Sequence, residues 1–233
     1  MSKSSIAVTG ANGFVGSNLV RRFLEEGYDV KPLIRENADI SLLPADINLH
    51  TVSYDNPQSI ERAIRGADTV IHNAGITRAK NREIFQKYNV ELTLKLVEAV
   101  NRIDSIKHFV FISSQAAAGV SKTPKKETDE CSPVSYYGES KYFAERIVQE
   151  KCCKNWTIIR PCSVYGEGDR DFLQYFKLVN KGISFIVGTR KKMISLIYVG
   201  LLSEFVLASV NNPDAFGEIF FVSDGKCYSW EDF

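Results

Sequence analysis

Short apolar runs rich in β-branched residues alternate along this chain with stretches whose apolar positions recur every three to four residues. "SIAVT" (5–9) precedes "FVGSNLVRRFLEEG" (14–27), and "DVKPLI" (29–34) and "INLHTVS" (47–53) precede "PQSIERAIRG" (57–66). "DTVIHNA" (68–74) leads into "NREIFQKYNVELTLKLVEAVNR" (81–102), where Val90, Leu94, Val97 and Val100 form one stripe and Glu91, Lys95 and Glu98 turn away. A fifth strand, "HFVFISS" (108–114), is followed by the polar loop 121–135, the helix "YYGESKYFAERIVQE" (136–150) and the strand "WTIIRP" (156–161). Strand and helix periods in this order predict βαβ units around a parallel sheet. The fold class expected is α/β: a Rossmann-type doubly wound parallel sheet with helices on both faces.

The pattern loosens after Pro161 into "CSVYGEGDRDFLQYFKLVNKG", the short strands "ISFIVG" and "MISLIYV", a helix "LLSEFVLASVNN" and a strand "GEIFFVS". Residues 1–165 read as the dinucleotide-binding domain, and 166–233 as elements that partly complete the sheet and partly bind substrate. "YSWEDF" (228–233) looks like the start of a further helix with nothing to pack on, so this last part reads as truncated, with apolar surface expected near residues 185–205.

Composition narrows the partners. The 233 residues are 44% hydrophobic, enough for a sizeable core, and 29 Lys and Arg balance 28 Asp and Glu, so no global field recruits nucleic acid or an anionic membrane. Five cysteines, two of them adjacent (Cys152 and Cys153), fit neither a disulfide framework nor zinc-ligand spacing, and read as reduced thiols. The N-terminal stretch lacks a signal peptide's apolar centre and no apolar run spans a bilayer, so the expectation is a cytoplasmic protein; a homodimer is left open. His50, His72 and His108 stand singly and suggest no metal site.

In "TGANGFVG" (9–16) three glycines lie between a predicted strand and a predicted helix. A glycine inside a helix costs about 1 kcal/mol relative to alanine, and a bound phosphate is the compensating benefit. Gly10 serves the tight turn, Gly13 lets backbone N–H groups approach a pyrophosphate, and Gly16 lets the helix pack closely on the sheet. An acidic residue ending the second strand would hold the ribose 2′-hydroxyl of NAD. Here the strand ends in Ile34 and Arg35, and a guanidinium there favours the 2′-phosphate of NADP. The cofactor is therefore NAD or NADP, with NADP favoured.

Tyr137 and Lys141 are four apart at the start of a predicted helix and share a face. A phenol acts as a base at neutral pH only if its pKa falls by about 3 units. The lysine ammonium, a positive nicotinamide and the helix N-terminus together can supply that shift. Ser113 and Ser114 end the fifth strand, where open α/β sheets bind ligands, and a hydroxyl there can hydrogen-bond a substrate oxygen.

The order of the glycine motif, "HNAG" (72–75), "YNVELT" (88–93), "FISSQAAAG" (111–119), "SYYGESK" (135–141) and "RPCSVYGEGDRD" (160–171) resembles the extended short-chain dehydrogenase/reductases, especially their nucleotide-sugar epimerase/dehydratase branch. The resemblance implies that Ser114 is the catalytic serine, Tyr137 the acid/base and Lys141 its partner and a holder of the ribose hydroxyls. It implies further that Gly10, Asn12, Gly13, Phe14, Val15 and Gly16 line the pyrophosphate, that Ala74 and Gly75 lie against the adenosine ribose, and that Asn89 supports the site. Pro161, Ser163 and Val164 fall where the family's loop meets nicotinamide. The chain departs from the family in two places: Ser53 stands where an aspartate usually meets adenine, with Asp55 close by, and Gly200 and Leu201 leave the late helix without its aspartate cap. Dehydratases of the family carry an aspartate and a glutamate after the catalytic hydroxyl, where this chain has Gln115 and Ala116. The implied activity is a nucleotide-sugar 4-epimerase. An NADP-dependent ketone or alcohol reductase and a non-catalytic dinucleotide-binding scaffold are the alternatives.

Overall fold

A computed structural model describes residues 4–121, 123–182 and 193–229. Its first strands are β1 (Ser5–Thr9), β2 (Asp29–Ile34), β3 (His50–Thr51), β4 (Thr69–His72), β5 (His108–Ile112) and β6 (Asn155–Pro161). They join a strand near the C-terminus, Glu218–Val222, in one seven-stranded sheet. Counting on through β7 (Ser163–Tyr165), β8 (Met193–Ile194) and β9 (Leu196–Tyr198), that strand is β10, and β11 (Tyr228–Ser229) follows. The sheet order is β10-β6-β5-β4-β1-β2-β3, and every pairing in it is parallel. The order reverses direction between β1 and β4, which opens a crevice beyond their carboxyl ends.

The helices are α1 (Phe14–Glu25), α2 (Pro57–Ile64), α3 (Arg82–Phe85), α4 (Leu92–Asn101), α5 (Tyr136–Lys151), α6 (Asp171–Val179) and α7 (Val199–Ser209). One face of the sheet buries Ile60, Leu96, Val97 and Val148 from α2, α4 and α5, and the other buries Leu19, Val20, Leu202 and Val206 from α1 and α7. Central strands thus have both faces covered, which is why every residue of β4 and β5 is buried without alternation. The outer strand β10 is shielded by Glu127, whose carboxylate accepts the Phe221 N–H at 2.9 Å.

Three expectations are corrected. The strand predicted over 47–53 contracts to β3, because only residues 50 and 51 pair in register with β2, and the Val52 N–H closes the ladder on the Ile34 carbonyl at 2.8 Å. The helix predicted over 81–102 is interrupted by a π-helical turn, Gln86–Glu91, between α3 and α4. The buried stripe of α4 is also wider than expected: Leu92, Thr93, Leu96 and Ala99 are buried and Leu94 only partly so, because α4 packs against both α2 and α5 as well as the sheet. The predicted strand 183–188 and the helix expected to begin after Ser229 lie outside the described residues. Of the surface expected near 185–205, residues 193–205 are described, and there Met193 (60%) and Leu201 (48%) are exposed while Leu196, Ile197 and Leu202 are buried.

His108 ties the carboxyl-terminal elements to the amino-terminal edge of the sheet. Thr157 Oγ1 gives its only proton to the Ala215 carbonyl (2.6 Å), so His108 Nε2 must donate to Thr157 (2.9 Å), while Nδ1 accepts the Asn211 N–H (3.1 Å). A proton on Nδ1 would face that N–H donor, and burial holds the imidazole down to about 4. Because the folded value lies below the ordinary 6.5, this contribution is complete above pH 6.5 and is lost as pH falls toward 4. Urea unfolding at pH 7 and at pH 4.5 is expected to show on the order of 2 kcal/mol lost through this group. The loss should be smaller by that amount in His108→Asn; an equal loss in both proteins rejects the assignment.

Candidate active site

The crevice beyond β1 and β4 widens into a cavity of ≈ 1090 Å³. Every site residue expected from the sequence lines it except Gly16. A Cβ on Gly16 would stand 2.1 Å from the Gly10 carbonyl oxygen, so Gly16 serves helix packing beneath the loop and is corrected from a lining residue to a packing one. Gly10 has φ 64°, and a Cβ there would meet the Ala74 backbone at 2.8 Å. Gly13 differs from both: its φ is −81°, and an added Cβ would meet only the Gly10 carbonyl oxygen at 3.4 Å. Gly13 is also the N-cap of α1, with no side-chain cap and no acidic residue in the first turn. The unpaired N–H groups and positive end of α1 therefore face the cavity, as an anion requires. These features fit a dinucleotide pyrophosphate.

Beside the glycine turn, a hydrogen-bond chain crosses the core. Thr93 Oγ1 donates to the Asn89 carbonyl (2.6 Å), so His72 Nε2 donates to Thr93 (3.0 Å) and His72 Nδ1 accepts from Thr9 Oγ1 (2.9 Å). Thr9 in turn accepts the Asn73 and Ala74 N–H groups at 3.1 and 3.0 Å. His72 is thus a neutral core residue, and burial drives its pKa well below 6.5. The π-helical turn turns Asn89 inward, where its side chain accepts the Ile76 N–H (2.8 Å) and donates to the Ile76 carbonyl (3.0 Å) and to Ser140 (2.8 Å). Ser140 donates to the Tyr137 carbonyl (2.7 Å), so Asn89 braces both the loop after β4 and the first turn of α5.

α5 begins at a Ser135 cap whose hydroxyl accepts the Gly138 N–H (3.1 Å), and Gly138 lets it approach the Ala116 carbonyl, which a Cβ would meet at 2.3 Å. That approach sets Tyr137 beside Ser114, the cap of a 3-10 turn over Gln115–Ala117. Both serines border the cavity, but the hydroxyl of the buried Ser113 donates to Glu145, while Ser114 caps the 3-10 turn beside Tyr137. Lys141 is 5% exposed, donates to the Ile112 carbonyl at 2.7 Å and lies 4.2 Å from the Phe111 ring centroid.

The electrostatics differ from the expected lowering of the phenol. Burial raises Tyr137 above its ordinary value, opposed by the hydrogen bond to Ser114. Burial brings Lys141 down to about 7, opposed by the Glu145 carboxylate. Lys141 spends its ammonium on a backbone carbonyl, so the chain's own charges leave the phenol protonated at neutral pH.

Arg35, Ser53 and Asp55 line one end of the cavity, with Asp55 paired to Lys95 at 3.1 Å. Tyr54 is a lining residue the sequence did not signal; its buried hydroxyl lies near the Gly10 backbone and Thr9 without a well-formed hydrogen bond, and burial raises its pKa. At the opposite end Pro161, Ser163 and Val164 line the cavity with Cys162, whose thiol burial pushes up to about 12, so it is no nucleophile. The segment 166–171 roofs the cleft: Arg170 reaches Asp39 (3.6 Å), Asp171 pairs with Arg78 (2.8 Å), and the Glu167 carbonyl accepts from Asn18 (2.9 Å). The late helix α7 starts after Tyr198 with no side-chain cap, as the missing aspartate implied.

Among the described residues no helix is long and apolar enough to cross a membrane. The chain is 34% identical to a UDP-glucose 4-epimerase of Vibrio cholerae over 95% of its own length and 71% of that protein's. It is 31% identical to a 3-beta-hydroxysteroid dehydrogenase of Mycolicibacterium neoaurum, covering 95% of this chain and 66% of that one. The chain thus spans about two thirds of the length of the curated relatives it matches. A UDP-glucuronic acid 4-epimerase from Bacillus cereus, solved with UDP-glucuronic acid and NAD, superposes with a TM-score of 0.85 over 98% of this chain and 80% of that one. At 22% identity that likeness is one of fold. The model of the NAD dependent epimerase/dehydratase family matches residues 6–222, and the chain belongs to that family.

Proposed function

We propose that the protein catalyses NAD(P)-dependent hydride exchange at a hydroxyl or keto carbon, with a nucleoside-diphosphate sugar as substrate and 4-epimerisation as the outcome. The observation that carries this reading is that Ser114, Tyr137 and Lys141 share one cavity with the uncapped N-terminus of α1. A dinucleotide held in this cavity would supply the hydride acceptor and donor and, in its oxidised form, a positive charge. Ser114 hydrogen-bonds the reacting oxygen, Tyr137 exchanges its proton, and Lys141 holds the ribose hydroxyls and lends positive charge. Gly10, Asn12, Gly13, Phe14 and Val15 hold the pyrophosphate, Ala74, Gly75 and Ser53 the adenosine, and Pro161, Ser163 and Val164 the nicotinamide; Asn89 supports them. Residues 1–165 act as the dinucleotide-binding part and 166–233 contribute to the substrate wall, in a cytoplasmic protein. The Vibrio cholerae relative supports the sugar nucleotide. Titration with NAD and NADP, followed by conversion of UDP-glucose and UDP-N-acetylglucosamine read by chromatography, tests the proposal; binding of neither dinucleotide overturns it.

A second reading is an NADP-dependent reductase of a ketone or alcohol, favoured by Arg35 at the cavity rim where an acidic residue would select NAD. The steroid dehydrogenase relative supports a substrate of that kind. On this reading NADP binds more tightly than NAD, and Arg35→Ala weakens NADP selectively, by about tenfold or more, the scale of one lost charged hydrogen bond. Equal dinucleotide affinities before and after the change, measured by fluorescence titration, would remove the preference and leave the epimerase reading.

A further inference from the structure

The buried side chains behind the cavity form a charged cluster that the proposed chemistry does not use directly. Glu145 is 1% exposed; its carboxylate accepts from Ser113 Oγ and from Arg160 Nε (3.0 Å) and Nη2 (2.7 Å). Ser113 directly follows the last residue of β5 and precedes Ser114, and Arg160 lies in β6 immediately before Pro161. Lys141 stands one helical turn before Glu145 on the same face of α5. One carboxylate thus joins the three segments that carry the candidate serine, the tyrosine and lysine, and the nicotinamide loop.

We propose that Glu145 is a positioning residue: it locks the carboxyl ends of β5 and β6 to α5 and keeps the Lys141 ammonium charged inside the protein. The inference rests on the reading of Ser114, Tyr137 and Lys141 as the reacting groups, and it adds the group that sets their spacing and charge. A buried ammonium with only a carbonyl and an aromatic face beside it loses its proton readily. The groups facing Lys141 are few. The Ile112 carbonyl and Phe111 ring come from β5, neutral His72 from β4, Tyr137 and Glu145 from α5, and Arg160 stands beyond Glu145 on β6. Glu145 is the only negative charge in that set and sits one helical turn from Lys141 on α5, with Arg160 bonded to the carboxylate from β6. Arg160 is not idle: its Nη2 also reaches the Cys131 sulfur (3.1 Å), while its buried Nη1 has no partner, so the guanidinium is oriented by Glu145 above all.

The test is the ionisation of Lys141, followed in the full chain by NMR of ε-labelled lysine, with Lys141→Arg to assign the signal. The wild-type midpoint is expected near pH 7. In Glu145→Gln it should fall by about one unit, a tenfold drop in the ratio of charged to neutral lysine. That variant leaves Arg160 buried without a counter-charge and risks unfolding. Glu145→Gln/Arg160→Gln removes both charges while retaining hydrogen-bonding groups, and its Lys141 midpoint should fall as well. A midpoint unchanged in the folded double variant overturns the proposal, since a merely structural role moves the melting temperature and not this ionisation. NADH and NADPH titrations run alongside distinguish the underlying reading: a wild type that binds neither rejects the dinucleotide site while the Lys141 measurement still decides the role of Glu145.

Discussion

Tyr137→Phe is expected to lower turnover about 1000-fold, within the 10²–10⁴ range typical of a lost general acid or base, while the melting temperature and dinucleotide affinity stay near wild type. The substitution removes one oxygen from a ring that packs against Phe85 at 6.1 Å between centroids, so the packed volume is retained. The hydroxyl's interaction in the protein is with Ser114 at the cavity, and the loss of such a bond costs about 1 kcal/mol of stability. Catalysis suffers far more because no neighbouring group replaces the proton: Lys141 is turned to the Ile112 carbonyl and Cys162 is held protonated by burial. The measurement is single-turnover reduction of bound dinucleotide with the first alcohol or sugar nucleotide that the wild type converts. Wild-type turnover in the variant would reduce the Tyr137–Lys141 spacing to a coincidence on one helix face.

The separation of Ser113 from Ser114 shows how far the amino-acid order alone carries. "FISSQ" offers two hydroxyls just past the end of β5, and residue order does not say which of them a buried carboxylate takes. The decision is tertiary: Glu145 takes Ser113. A trace of it was present in the sequence, since Arg160 interrupts the apolar strand "WTIIRP" and a charge in a buried strand requires a counter-charge. Glu145, one turn after Lys141, was on the correct face to supply it. The β-branched runs and the glycine motif were legible because they report local backbone requirements, which depend on a few neighbouring residues. The two-residue β3 was not, because its length depends on where the β2 ladder ends.

The π-helical turn had no such trace. "NREIFQKYNVELTLKLVEAVNR" reads as one continuous helix, and the inserted residue is stabilised by what Asn89 reaches across 13 positions to Ile76 and 51 positions to Ser140. The pKa pattern was equally hidden. Spacing placed Lys141 beside Tyr137, yet whether the ammonium serves the phenol or the Ile112 carbonyl depends on side-chain torsions and burial, and both groups respond first to desolvation.

Gly13→Ala and Gly16→Ala are expected to fail in opposite ways, although the two glycines belong to one motif. A Cβ on Gly16 would lie 2.1 Å from the Gly10 oxygen and within 2.9 Å of two further backbone atoms, with no flexible side chain to yield. Gly16→Ala should therefore lose about 3 kcal/mol or more of stability, as overpacking against rigid backbone does. At Gly13 the backbone is already in a region alanine adopts freely, and the nearest atom to an added methyl is 3.4 Å away. Gly13→Ala should change stability by less than about 1 kcal/mol, since the freedom lost by the unfolded chain offsets alanine's poorer fit as an N-cap. Its methyl group would stand where the pyrophosphate must approach the N–H groups of α1, so NAD and NADP affinity should fall by about tenfold or more while urea unfolding changes little. The pair of measurements separates a phosphate cradle from a glycine-rich turn. If Gly13→Ala binds both dinucleotides as tightly as the wild type, the open space at Gly13 is incidental and the pyrophosphate must be held elsewhere in the cavity.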